Sequence, residues 1–167
     1  MLNEPGVVSN VVRGWQLGGT YEYQPGALLN WGNMFFTGDL KNIPKTNPEI
    51  ALQPDGTFDA TKTWFNVDAG FVKATADQPA SFQKRTFPFR VEGVRSQSLS
   101  FLNMNVARTF TMGGRRTFQF RLDMQNVLNR QQFGNPSLDP TSTNFGQVRG
   151  VTQQVMRFIT FNSTLRF

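Results

Sequence analysis

The stretch "TFQFRLDMQ", residues 117–125, alternates with period two almost without exception. Phe118, Phe120, Leu122 and Met124 fall on one side, and Thr117, Gln119, Arg121, Asp123 and Gln125 on the other. Successive side chains of a strand point to opposite faces, whereas a helix groups apolar residues three or four apart, so this segment reads as a strand with one apolar face. The strand is expected over about 116–128. Just before it, "LNMNVARTF" sets Leu102, Met104, Val106 and Phe110 against Asn103, Asn105 and Thr109, with Arg108 the single charge on the apolar side. Between the two, "TMGGRR" supplies Gly113 and Gly114, which reach the positive φ angles of a tight turn without steric cost. Strands 99–110 and 116–128 are therefore expected to pair as a hairpin.

Two further strands follow from the same pattern. "GWQLGGTYEYQ" predicts a strand over 13–24, with Trp15, Leu17, Tyr21 and Tyr23 opposite Gln16, Thr20, Glu22 and Gln24, ended by Pro25 and Gly26. The terminal "QVMRFITFNSTLRF" predicts a strand over 155–167, whose more apolar face carries Val155, Arg157, Ile159, Phe161, Ser163, Leu165 and Phe167. "LLNWGNMFF" alternates poorly, and the pattern leaves open whether 28–36 is a further spanning strand. "EPGVVSNVV" suits a short helical turn. Residues 37–98 and 129–154 are polar and punctuated by Gly and Pro, and read as two long loops with a local hairpin at Asp55-Gly56.

The apolar faces admit two destinations: the core of a soluble β-sandwich, or lipid around a membrane barrel. Loop lengths favour the barrel. Compact soluble domains rarely use structureless loops beyond about 12–15 residues, whereas outer-membrane barrels alternate short periplasmic turns with long extracellular loops. If the last strand descends to the periplasm, 116–128 ascends, the Gly-Gly turn is periplasmic, and 99–110 descends. Strand 13–24 then ascends, unless 28–36 also spans, in which case 13–24 descends. Charged residues make up 17% of the chain, against roughly 25% in soluble domains. No run approaches the roughly 20 apolar residues of a membrane-spanning helix.

Chemistry is sparse. The chain has no Cys and no His, which removes thiolate and imidazole ligands and the commonest general base. No catalytic residue, metal ligand or cofactor site is expected. The 17 basic and 11 acidic residues leave a net charge of +6, which suits an anionic partner without naming it. Nucleic acid is disfavoured, because the aromatic and polar residues segregate to opposite faces instead of interleaving. Lys41, Lys45, Lys62, Lys73, Lys84, Arg85, Arg90 and Arg95 fall in the first long loop, where either phosphates of lipopolysaccharide or simply water are the candidate partners.

"GWQLGGTYEYQPG", "RTFPFRVEGVR", "LSFLNMNVARTF", "TFQFRLDMQNVLNRQQFGNPSLDPTSTNFGQV" and the final "LRF" together resemble, in that order, the C-terminal barrel of TonB-dependent outer-membrane receptors. The nearest branch is the Oar-like receptors that carry a carboxypeptidase-regulatory-like domain. The likeness runs from about Pro5 to Phe167, and "NVLNRQQFGNP…TSTNFGQV" is its most specific block. One departure is "QSLSFLNMN", where the family usually shows Asp near the start of the strand. Nothing here resembles the plug or the regulatory-like domain.

The resemblance implies an all-β fold: antiparallel up-and-down strands forming the last part of a transmembrane barrel with long extracellular loops. It implies energy-coupled uptake of a bulky solute by the intact protein, with outer-membrane lipid, the remaining barrel and plug, a TonB complex and the barrel-assembly machinery as partners. Ile159, Phe161, Leu165 and Phe167 are the expected assembly signal of the terminal strand. Asn103, Asn105, Gln119, Arg121, Asp123 and Gln125 are the candidates for the lumen face, either touching plug or solute or simply hydrogen-bonding within the wall. The alternative is a secreted, soluble β-sandwich that binds carbohydrate.

Overall fold

The computed structural model describes residues 14–153 and 156–167. Among the described residues there are six strands: β1 (Trp15–Gln24), β2 (Leu99–Thr111), β3 (Thr117–Gln125), β4 (Gln132–Phe133), β5 (Val151–Gln153) and β6 (Phe158–Arg166). Single 3-10 turns at Leu40–Asn42 and Thr75–Asp77 are the helical structure among the described residues. The chain divides into two compact units. One holds residues 14–23, 100–130 and 156–167, and the other residues 24–99 and 131–153.

The first unit is a four-stranded sheet in the order β1-β2-β3-β6. Strands β2 and β3 pair antiparallel from Met104↔Met124 to Thr111↔Thr117. The Met112 N–H donates to the Arg116 carbonyl at 3.0 Å, and Gly113 and Gly114 take φ angles of 86° and 61°, closing the tight hairpin. Strands β3 and β6 pair antiparallel from Gln125↔Phe158 to Thr117↔Arg166. Along β1 the neighbours on β2 fall as the β1 numbers rise: Trp15 lies near Arg108, Gly18 near Asn105, and Tyr21 near Ser100. That trend makes β1 antiparallel to β2, so direction alternates through the sheet.

This register keeps the period-two faces in phase. Met104, Val106 and Phe110 stand opposite Met124, Leu122 and Phe118, which stand opposite Ile159, Phe161 and Leu165. A slip of one residue would send each apolar side chain to the other face. The strands of 10, 13, 9 and 9 residues are long enough for the roughly 9–11 residues that a tilted strand needs to cross a bilayer. Among the described residues the four strands do not close on themselves.

The second unit has its own core. Leu29, Trp31, Met34, Ile43, Phe65, Phe71, Phe87, Val91, Val94 and Phe145 pack together, all nearly or fully buried. Trp31 sits among Phe65, Phe71 and Phe87, with ring centroids 4.9, 5.7 and 5.5 Å away. Its indole nitrogen meets no oxygen acceptor among the described residues, a polar atom enclosed by aromatic rings. Strands β4 and β5 form a small two-stranded sheet in this unit.

The point that the pattern leaves open at 28–36 has an answer here, and one expectation is corrected. Segment 28–36 is no spanning strand: Leu28 and Phe36 make only single bridges, to Arg95 and Phe71, because Leu29, Trp31 and Met34 are drawn into the core. The described residues of the two long connections, 37–98 and 131–153, are not loose loops. They contribute most of a packed unit held by rings from distant positions. The Asp55-Gly56 turn does fold locally, with Leu52 bridged to Phe58 and Gly56 at φ 85°. The helical turn expected at "EPGVVSNVV", residue 13 and Val155 lie outside the described residues.

Candidate functional site

The sheet presents two chemically opposed faces. On the apolar face Phe120 meets Phe161 edge to face at 4.9 Å and Trp15 at 6.0 Å, and Phe110 stacks near Phe118 at 6.1 Å. These rings do not form a closed core. Leu17, Tyr21, Phe161 and Ile159 remain 70, 59, 60 and 54% exposed. A face of this breadth, far larger than scattered surface apolar residues, calls for an apolar partner. Arg108, the odd charge on this side, holds its guanidinium 4.4 Å from the Phe110 ring centre and 5.5 Å from Trp15. An arginine carbon over aromatic rings is stabilised by the ring quadrupole, which accounts for a cation amid apolar neighbours.

The terminal-strand residues sit on that same face. Ile159, Phe161 and Leu165 pair in register with Met124, Leu122 and Phe118, and Phe167 follows the last paired residue, 86% exposed. The outer edge of β6 has no partner strand among the described residues, since β6 ends the strand order.

The lumen candidates gather on the opposite face, though not as one uniform row. Arg121 grips Asp123 through Nε, at 2.9 and 3.0 Å from the two carboxylate oxygens, and through Nη2 at 2.9 Å. Residues two apart on a strand share a face, so the pair runs along β3. Asn162 of β6 donates from Nδ2 to the same carboxylate at 3.2 Å. The ion pair is charge-neutral and leaves donors and acceptors of uncharged type around it. A shallow concavity here is lined by Thr20, Asn105, Arg121, Asp123, Gln125 and Thr160 among others. Gln119 stands between Thr109 and Thr164 in the register, and Gln125 opposite Phe158.

Asn103 has a different task. Its Oδ1 accepts the Asn126 backbone N–H at 3.0 Å, where the chain leaves β3 in a positive-φ turn. Asn126 is buried and exchanges hydrogen bonds with the Arg130 backbone, N–H to Oδ1 and Nδ2 to carbonyl, both at 3.0 Å. Asn103 therefore anchors the exit of β3. Asn105 packs over Gly18, where an added Cβ would lie 2.8 Å from its Oδ1.

Pattern reading passed over Gly18 and Asn162. Gly18 sits on the polar side of β1, where a glycine inside an alternating strand signals close approach of a neighbour. The "NFGQV" block also gains a physical reason. Phe145 enters the core, and Gly146 takes φ 78° with its would-be Cβ 2.3 Å from Val67 Cγ1. The Gly146 carbonyl accepts the Trp64 N–H at 2.8 Å.

No curated protein and no solved structure shows significant similarity to the chain. Residues 1–160 match the family described as outer membrane beta barrel domain. A sheet with one bare apolar face and one hydrogen-bonded polar face is what such a wall requires, and the chain belongs to the outer membrane beta barrel domain family, with the outer membrane as its location.

Proposed function

We infer that the chain is the C-terminal wall of a TonB-dependent receptor of the Oar-like branch, taking part in energy-coupled uptake of a bulky solute when joined to the rest of its barrel and a plug. The observation that carries this reading is the contrast in connections. The β2–β3 turn is tight, whereas the chain between β1 and β2 and the chain between β3 and β6 build a unit with its own aromatic core. Long, ordered connections on one side of a barrel suit capture of a large solute outside the cell, and the tight turn suits the periplasmic side. The polar face, with its neutral Arg121–Asp123 pair, then forms part of the lumen wall. No catalysis is invoked.

The test is retention of TonB. The intact gene product, extracted in detergent, is passed over the immobilised periplasmic domain of TonB. Specific retention supports the reading; a gene that encodes no plug, or a product that is not retained, overturns it.

A further inference from the structure

Residues 80–90, "ASFQKRTFPFR", carry three phenylalanines and three basic residues with no acidic one. Only Phe87 turns inward, into the core. Phe82 is wholly exposed. It stands on an ordered turn, in which the Gln83 N–H donates to the Ala80 carbonyl at 2.9 Å and the Ala80 N–H to Gln83 Oε1 at 3.3 Å. Phe89 is half exposed, with the guanidinium carbons of Arg85 and Arg90 at 5.4 and 5.7 Å from its ring centre. Arg85 Nη1 is held by the carbonyls of Trp31, Gly32 and Phe87 at 3.1–3.2 Å, which pins the segment to the core. Lys84, Arg85 and Arg90 form no ion pair among the described residues, whereas Lys45, Lys62 and Lys73 do.

The patch is thus tied to the core through Arg85, cationic and without a carboxylate partner among the described residues, Arg90 Nε donating only to the neutral Asn30 Oδ1 at 3.2 Å, and it holds a phenyl ring in water. A soluble anion would satisfy its cations and leave Phe82 bare. A neutral bilayer would take Phe82 and leave the cations unanswered. A surface that is apolar beneath and anionic above answers both. We propose that residues 80–90 dock on the phosphorylated glycolipid of the outer leaflet, with Phe82 entering the acyl boundary and Lys84 and Arg90 meeting phosphates. The choice of leaflet rests on the reading that the first long connection lies outside the cell.

The chain has no cysteine, so Ser81→Cys gives one attachment point for an environment-sensitive dye beside an untouched Phe82. The labelled full chain is held in phosphocholine micelles and titrated with lipid A, with dephosphorylated lipid A, or with inorganic phosphate alone. A blue shift with lipid A only is expected. Lys84→Gln should weaken the response about fivefold, the share of one basic residue at an anionic lipid surface, and Phe82→Ser by at least as much. Near-ultraviolet circular dichroism of the Trp31 cluster should stay unchanged, since neither side chain enters the core. An equal shift with dephosphorylated lipid, a shift with phosphate alone, or no shift overturns the proposal. Dye response and TonB retention are independent readouts, so loss of TonB retention with the dye response intact sinks the transport reading alone, and the reverse sinks the docking alone.

Discussion

Leu122 and Phe161 face each other across the β3–β6 ladder, with Val106 opposite Leu122 on the other side. All three belong to the face whose outer residues remain bare, so the middle of the sheet is a continuous apolar band one layer thick. A barrel wall in the outer membrane would turn such a band toward lipid. Charge on it is costly, and charge on the reverse face is not.

Leu122→Arg should therefore destabilise the membrane-inserted protein by about 2–4 kcal/mol, the range for Arg near mid-depth on a lipid face. Gln119→Arg, on the polar face, should change stability by well under half of that. Urea titration of the protein folded in lipid vesicles measures both. Equal losses would show that the faces are not distinguished by lipid.

Gly146 combines a left-handed backbone with a crowded site. Gly146→Ala adds a methyl against Val67 and places a side chain at φ 78°. A loss of about 2–4 kcal/mol is expected, from an off-region backbone together with overpacking. Pairing it with Val67→Ala should recover the packing share and leave the backbone share. A single substitution that is silent in thermal unfolding would contradict this.

Removing the Asn126 side chain deletes the two hydrogen bonds that close the 126–130 turn. Asn126→Ala should cost about 2–3 kcal/mol, because partners at a buried site are left unmet and alanine resists the positive φ. Asn126→Gly relieves only the backbone part and should lose less. Hydrogen exchange of the Arg130 amide reports the loss directly: protection should vanish in both variants and persist in the wild type.

Glu49 receives Lys62 Nζ at 2.7 Å and Lys45 Nζ at 3.3 Å. The hydrogen bond from Lys62 first, then that from Lys45, holds its carboxyl below the usual glutamate value, and the Glu49 partner raises Lys62. A carboxyl lowered in the folded state contributes stability above its ordinary value and loses it as pH falls through the lowered one. Lys62 works in the opposite sense, its contribution being lost as pH rises through its raised value. Both groups are exposed, so salt should shrink the effect. In a carbon-13 titration, Lys62→Met should move the Glu49 midpoint upward, and by more than Lys45→Met does. A midpoint unmoved by either change would refute the assignment.

Period-two alternation sufficed to place Phe118, Phe120, Leu122 and Met124 on one face and Gln119, Arg121, Asp123 and Gln125 on the other, because the pleat of a strand is a local property of the chain. The Gly113–Gly114 turn was legible for the same reason. The role of Asn103 was not: it is set by Asn126, twenty-three residues on, through a turn that no alternation reports. Gly18 likewise acquires its meaning only when Asn105 is laid over it.

The second unit marks the boundary more sharply. Its Gly, Pro and polar residues carry no helical or strand period, so its segments read as loops. Yet Trp31, Phe65, Phe71, Phe87 and Phe145 converge from five separate stretches into one buried cluster. The amino-acid sequence by itself determined the four strands of the larger sheet, their faces and the tight turn, since these depend on neighbours two to four residues apart, whereas β4 and β5 lie inside a stretch that reads as a loop. Only the tertiary structure decided that the long connections pack around an aromatic core and that the terminal rings stay bare. Burial there comes from contacts between residues up to about a hundred positions apart, which leave no local pattern to read.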